Sequence, residues 1–196
     1  MSNKKNKSGV YRLTGLAILT AIIIALQVFT TFVKFGPFSI TLALIPMVVG
    51  AAMYGIGAGA YLGAVLGVIV TIMSATGGDL GGFMVWSANP LMCTVVCVLK
   101  TAIAGLCAGA VYTAAHKWNK YVATFLAAVV SPIVNTGLFI IGMMLFFSDL
   151  LAEWAGGSDL LTYIIMGLTG VNFLVELGVN IILSPIAVRI IDAVKK

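Results

Sequence analysis

Charge is scarce in this 196-residue chain: Asp, Glu, Lys and Arg make up 9% of it, and His116 is the single histidine. A soluble domain of this size must keep a wetted exterior, so a water-soluble globule is excluded. Disorder is excluded as well, because disordered chains are poor in apolar residues, whereas 61% of this chain is apolar and its mean hydropathy is +1.15. Catalytic signatures are missing too. There is no Gly-x-Ser-x-Gly, no His-Glu-x-x-His and no phosphate-binding loop. The chain therefore reads as no enzyme, and any ATP hydrolysis that supports its work belongs to another subunit. Cys93, Cys97 and Cys107 fall in one apolar segment, without a C-x-x-C pair or a Cys/His set for metal. They read as small apolar helix residues, and neither metal nor cofactor is expected.

What is present is apolar sequence in long runs. A hydrocarbon core of roughly 30 Å takes about 20 helical residues. The runs predict six transmembrane helices at about 13–33, 40–54, 55–74, 90–112, 121–147 and 162–191, with polar loops at 75–89 and 148–161. The expected fold class is all-α: a polytopic membrane protein in which residues 1–196 form a single six-helix domain. The basic start followed by an apolar run has the look of a signal peptide. The run is long, however, and Thr31-Phe32-Val33-Lys34 is no small-residue cleavage site, so it reads as a retained span. Pro46 inside the second span predicts a kink, and Pro185 a bend in the last turns.

The net charge of +5 lies in the flanks of the apolar runs, which speaks for membrane orientation and against nucleic acid. The N-terminus, the link after the fourth span (Lys117, Lys120) and the C-terminal end hold every Lys and Arg except Lys34 and Lys100. The opposite side carries Asp79, Asp149, Glu153 and Asp159. The positive-inside rule puts both termini in the cytoplasm. Trp118, Tyr112 and Tyr121 then mark the inner boundary, and Trp86, Trp154 and Tyr163 the outer one. The loops at 75–89 and 148–161 face outward, and loops of such length are commonly functional.

Several patterns inside the spans carry chemistry or contact. Ala17, Ala21 and Ala25 stack three small side chains on one helical face. This is either packing within the chain or docking of a partner helix. Gly55, Gly59, Gly63 and Gly67 recur every fourth residue and read as a helix-packing groove. Lys100 and Glu176 both lie about 15 Å or so below the outer boundary, where an unpaired charge costs at least about 2.5–3.5 kcal/mol. They either bridge one another or anchor a solute. Asn172, Glu176 and Asn180 share a face of the last span, Asn135 and Thr136 lie at comparable depth beside Ser131-Pro132, and Ser87, Asn89 and Trp86 stand near the outer entrance. This convergence is either a ligand-filled cavity or helix-to-helix amide bonding. The candidate substrate-binding set is Asn89, Lys100, Asn135, Asn172, Glu176 and Trp86; the candidate docking set is Ala17, Ala21 and Ala25.

Taken together, these residues resemble the substrate-binding (S) components of energy-coupling factor (ECF) transporters. The resemblance rests on Ala17-x-x-x-Ala21-x-x-x-Ala25, which is similar to the family's motif for contacting its membrane coupling subunit. It rests also on Gly36-Pro37-Phe38-Ser39-Ile40 followed by Leu44-Ile45-Pro46-x-x-x-Gly50, similar to the riboflavin-type branch, and on Pro90 with Lys100-x-x-x-x-Gly105. The resemblance implies a vitamin held near the outer face of a prokaryotic cell membrane, riboflavin, pantothenate or a related molecule. It implies as partners one ECF transmembrane coupling protein and two ATP-binding cassette ATPases, and a subunit that topples in the bilayer to release its cargo inward. Lys100 favours a carboxylated ligand such as pantothenate; the riboflavin-type signature favours a flavin, with Trp86 and Phe83 as its stacking candidates. A stand-alone secondary carrier or small channel is the alternative, although no repeat relates the two halves. An intramembrane enzyme is disfavoured by the missing acid–base and metal sets.

Overall fold

Apolar runs that cross a bilayer must satisfy their backbone groups internally, and a single run does so as a helix. The structure, a computed structural model, describes residues 2–30, 39, 41–159, 162–164, 166 and 170–195, without the side chains of residues 2–8 and 195. Its elements are α1 (Ser2–Thr30), α2 (Leu44–Tyr54), α3 (Ile56–Thr76), α4 (Leu80–Ala88), α5 (Pro90–Ala115), α6 (Lys120–Phe146), α7 (Ser148–Ala155) and α8 (Gly170–Lys195). Of these, α1, α3, α5, α6 and α8 are long and apolar enough to cross a membrane, and α2 is a shorter apolar helix. The protein is an all-helical polytopic membrane protein. Its surface agrees: Ile18, Val28, Leu99, Leu145 and Ile182 are exposed, while Thr101, Thr124, Ser131, Asn135 and Asn180 are buried. The junction Gly36-Pro37-Phe38, Lys34 and the end of the first expected span lie outside the described residues.

The short helix α2 is the centre of the bundle. Every residue from Leu44 to Ala52 is buried, and α2 packs against α1, α3, α5, α6 and α8. A helix that is apolar all round belongs in such a place. Its 11 residues reach only about 16 Å, half of a hydrocarbon core. The expected start at residue 40 is therefore corrected to Leu44, and the kink expected at Pro46 does not arise. Pro46 is the third residue of α2, in the first turn, where no N–H has an intrahelical acceptor to lose. Ser39 and Thr41 enter the bundle outside any helix.

The glycine groove is real, with one correction. A Cβ on Gly63 would stand 2.2 Å from the Thr101 carbonyl oxygen, and one on Gly59 would stand 2.3 Å from that of Gly105. The backbones of α3 and α5 thus touch, a contact only glycine permits. Gly55 is not part of it: its φ of +93° makes the sharp joint between α2 and α3.

The two stretches expected as loops each contain a helix. Asp79 caps α4 by accepting from Gly82 N–H at 2.9 Å, so the Gly81-Gly82 pair sits in a first turn that a capping carboxylate stabilises. The second stretch holds α7, whose Leu151 and Ala155 are buried while Asp149 and Glu153 stay out. Beyond it, Asp159 accepts from both the Thr162 N–H (3.0 Å) and its hydroxyl (2.9 Å), which holds that carboxyl below its ordinary range. In α8, Pro185 leaves the carbonyl four residues earlier without a donor, and the Ser184 hydroxyl meets that Ile181 oxygen at 2.9 Å.

Candidate functional site

Helical spacing aims three elements at one volume. Cys93, Cys97 and Lys100 project from one face of α5; Asn135, Thr136 and Phe139 from α6; Asn172, Phe173 and Glu176 from α8. Ser74 of α3, Asp79 and Gly82 at the start of α4, and Ser39 with Thr41 complete the wall. They line a partly open hollow with about 80 Å³ of room for water. A single water needs roughly 10–15 Å³ on that measure, so these polar groups surround a hollow.

The charges in the wall are arranged unequally. Lys100 Nζ lies 4.5 Å from the centre of the Phe139 ring, a cation–π distance, and among the described residues no carboxylate comes within 4 Å of it. The ion pair seen among the described residues, Lys120 with Asp192 at 2.6 Å, is at the other end of the bundle, between α6 and α8. The bridge between Lys100 and Glu176, open as an alternative in the sequence, is not formed. Glu176 instead accepts from Thr41 N–H at 2.7 Å and faces the Asn135 amide. Asn180 donates to the Glu176 backbone oxygen at 2.7 Å and does not line the hollow. Asp79 accepts from Ser39 N–H at 2.7 Å and from its hydroxyl at 2.9 Å on one oxygen, and from Gly82 N–H on the other. Asn135 is 4% exposed, and its Oδ1 receives no hydrogen bond from the described residues.

Of the residues named from sequence, Lys100, Asn135, Asn172 and Glu176 therefore share this wall. Asn89 stands apart: it is exposed and caps α5 through Met92 N–H at 3.1 Å. Trp86 packs, half-buried, against the apolar cluster that contains Val85 and Leu151, and Phe83 is exposed. Ala17, Ala21 and Ala25 are all exposed on α1, which packs on α2 and α3 and has only 17% of its apolar window buried, against 44% for α3. Sequence reasoning missed Ser39, Thr41, Phe139 and Phe173, and took Cys93 and Cys97 for ordinary packing. The Cys93–Cys97–Lys100 spacing, one turn and then two along the same face, was the available signal. At the far end, His116 is exposed and stacks on Tyr112 at 5.0 Å, beside a second hollow between α5, α6 and α8.

Fold and hollow together define a polytopic membrane protein with a polar site inside a helical bundle. The family can be named as well. The family model for the ECF transporter, substrate-specific component, matches residues 11–188, and the chain belongs to that family. It is 28% identical over 180 residues to the pantothenic acid transporter PanT of Lactococcus lactis subsp. cremoris (strain MG1363), covering 86% of this chain and 87% of that protein. The family consists of substrate-binding transport components, not enzymes.

Proposed function

We propose that this chain captures a carboxylate-bearing vitamin, pantothenate before all others, at the outer face of a prokaryotic plasma membrane. It passes the cargo inward as part of an ATP-driven complex with an ECF coupling protein and two ATP-binding cassette ATPases. The observation that carries the choice of ligand is Lys100: an ammonium in the wall of the hollow with no carboxylate of the described residues in ion-pair reach. A charge at that depth is stable only with a partner or with water, and an anionic ligand supplies the partner. Asn135, Thr136 and Asn172 offer hydrogen bonds to an amide and hydroxyls, and Val70, Val85 and Val96 offer apolar contact. The name of the Lactococcus relative supports the same ligand. The exposed Ala17, Ala21 and Ala25 supply a smooth face on which a helix of the coupling protein can lie closely.

Calorimetric titration of the purified chain tests the reading. Pantothenate is expected to bind and riboflavin not to compete. Lys100→Met is expected to weaken pantothenate binding by about 10- to 150-fold, the worth of a hydrogen bond to a charged group. Tight riboflavin binding that is insensitive to Lys100→Met would transfer the site to a flavin stacked on Phe139 or Phe173. Gradient-driven uptake by liposomes containing this chain alone would identify a stand-alone carrier instead.

A further inference from the structure

Non-helical backbone at membrane depth persists only where its N–H and C=O groups find partners in the protein or a cavity. Ser39 and Thr41 are non-helical backbone ahead of α2, in the wall of the hollow. Their amides go to carboxylates: Ser39 N–H to Asp79 Oδ1 and Thr41 N–H to Glu176 Oε1, both at 2.7 Å. The acceptors come from different elements, the N-cap of α4 and the second turn of α8, and are 7% and 5% exposed. Two carboxylates in the wall of an anion site would oppose its ligand if they faced it. Engaged with backbone donors, they do something else.

We propose that Asp79 and Glu176 are positioning residues: they fasten the chain at Ser39 and Thr41 between α4 and α8 as one wall of the hollow, and so slow the escape of the ligand. The proposal rests on the reading of the hollow as a vitamin site, and it takes Glu176 out of direct contact with the cargo. The two carboxylates differ in what they must supply. Thr41 needs one acceptor oxygen, which glutamine keeps. Asp79 uses both oxygens, one for Ser39 and one for Gly82, and asparagine keeps only one. The amide replacement therefore rescues at position 176 and fails at position 79.

Hydrogen–deuterium exchange of the full chain in lipid nanodiscs reads the fastening without any ligand. Exchange at the Thr41 amide should rise about tenfold or more in Glu176→Leu and stay near wild type in Glu176→Gln. Exchange at Ser39 should rise in both Asp79→Ala and Asp79→Asn. Release of radiolabelled pantothenate should quicken by a similar factor in those three loosened variants, with association little changed, and Glu176→Gln should restore slow release. Glu176→Met replaces the leucine variant if the latter does not fold. Equal Thr41 exchange in the apolar and glutamine variants overturns the fastening, and lost fastening with unaltered release overturns its part in retention. If the wild type binds neither pantothenate nor riboflavin, the proposed function falls, and the exchange rates still decide whether these carboxylates hold the wall.

Discussion

Single side chains decide what the hollow accepts. Asn135 Oδ1 is buried without a donor among the described residues, a state that costs about 1–3 kcal/mol unless water or a ligand fills it. Asn135→Leu is expected to weaken pantothenate binding several-fold by calorimetry; it also takes from Glu176 the amide that faces it, so the unfolding temperature is expected to fall. Asn172→Leu should likewise raise the dissociation constant without loss of expression; an unchanged constant would reduce Asn172 to structure. Lys100, Asn135, Asn172 and Glu176 could be named from sequence because a polar group within an apolar run stands out whatever it touches. Ser39, Thr41 and Asp79 could not. Their roles depend on pairings across 40 and 135 residues of chain, and nothing local announces them.

At the scale of elements, the contact of α3 with α5 is the most exacting. Gly63→Ala places a methyl 2.2 Å from a backbone oxygen that belongs to another helix, so the helices must part. A loss of about 1–3 kcal/mol is expected, visible as a lower unfolding temperature. Gly137→Ala and Gly178→Ala provide the controls. Nothing lies within 4 Å of either new methyl, and alanine in a helix interior gains up to about 1 kcal/mol over glycine. A stripe of period four was legible because close helix packing imprints itself directly on spacing. The helices α4 and α7 were not, since nine and eight residues give too few turns for an apolar period to outweigh the glycines and acids around them. The length of α2 was hidden for another reason: only the packing of five neighbours makes a helix of half a membrane's thickness stable there.

For the molecule as a whole, the hollow lies toward the end where α4 and α5 begin, and the exposed alanine face runs along α1. On the proposed function, binding and assembly are then separable. Ala21→Trp is expected to abolish co-purification with the coupling complex while pantothenate affinity stays within about twofold, because the bulk projects outward from α1 and away from the hollow. Loss of affinity with normal assembly would reverse that division of labour. The backbone contact between α3 and α5 bears on motion as well. Two helices joined oxygen to Cα along three glycines can rock together, yet neither can slip along the other without lifting out of register. They act as a keel for the subunit. Nitroxide labels at the lipid-facing Val68 and Ile103 should then report one unchanging separation, whether the protein drifts alone in a bilayer or is seated in its complex, even as its tilt against the lipid changes.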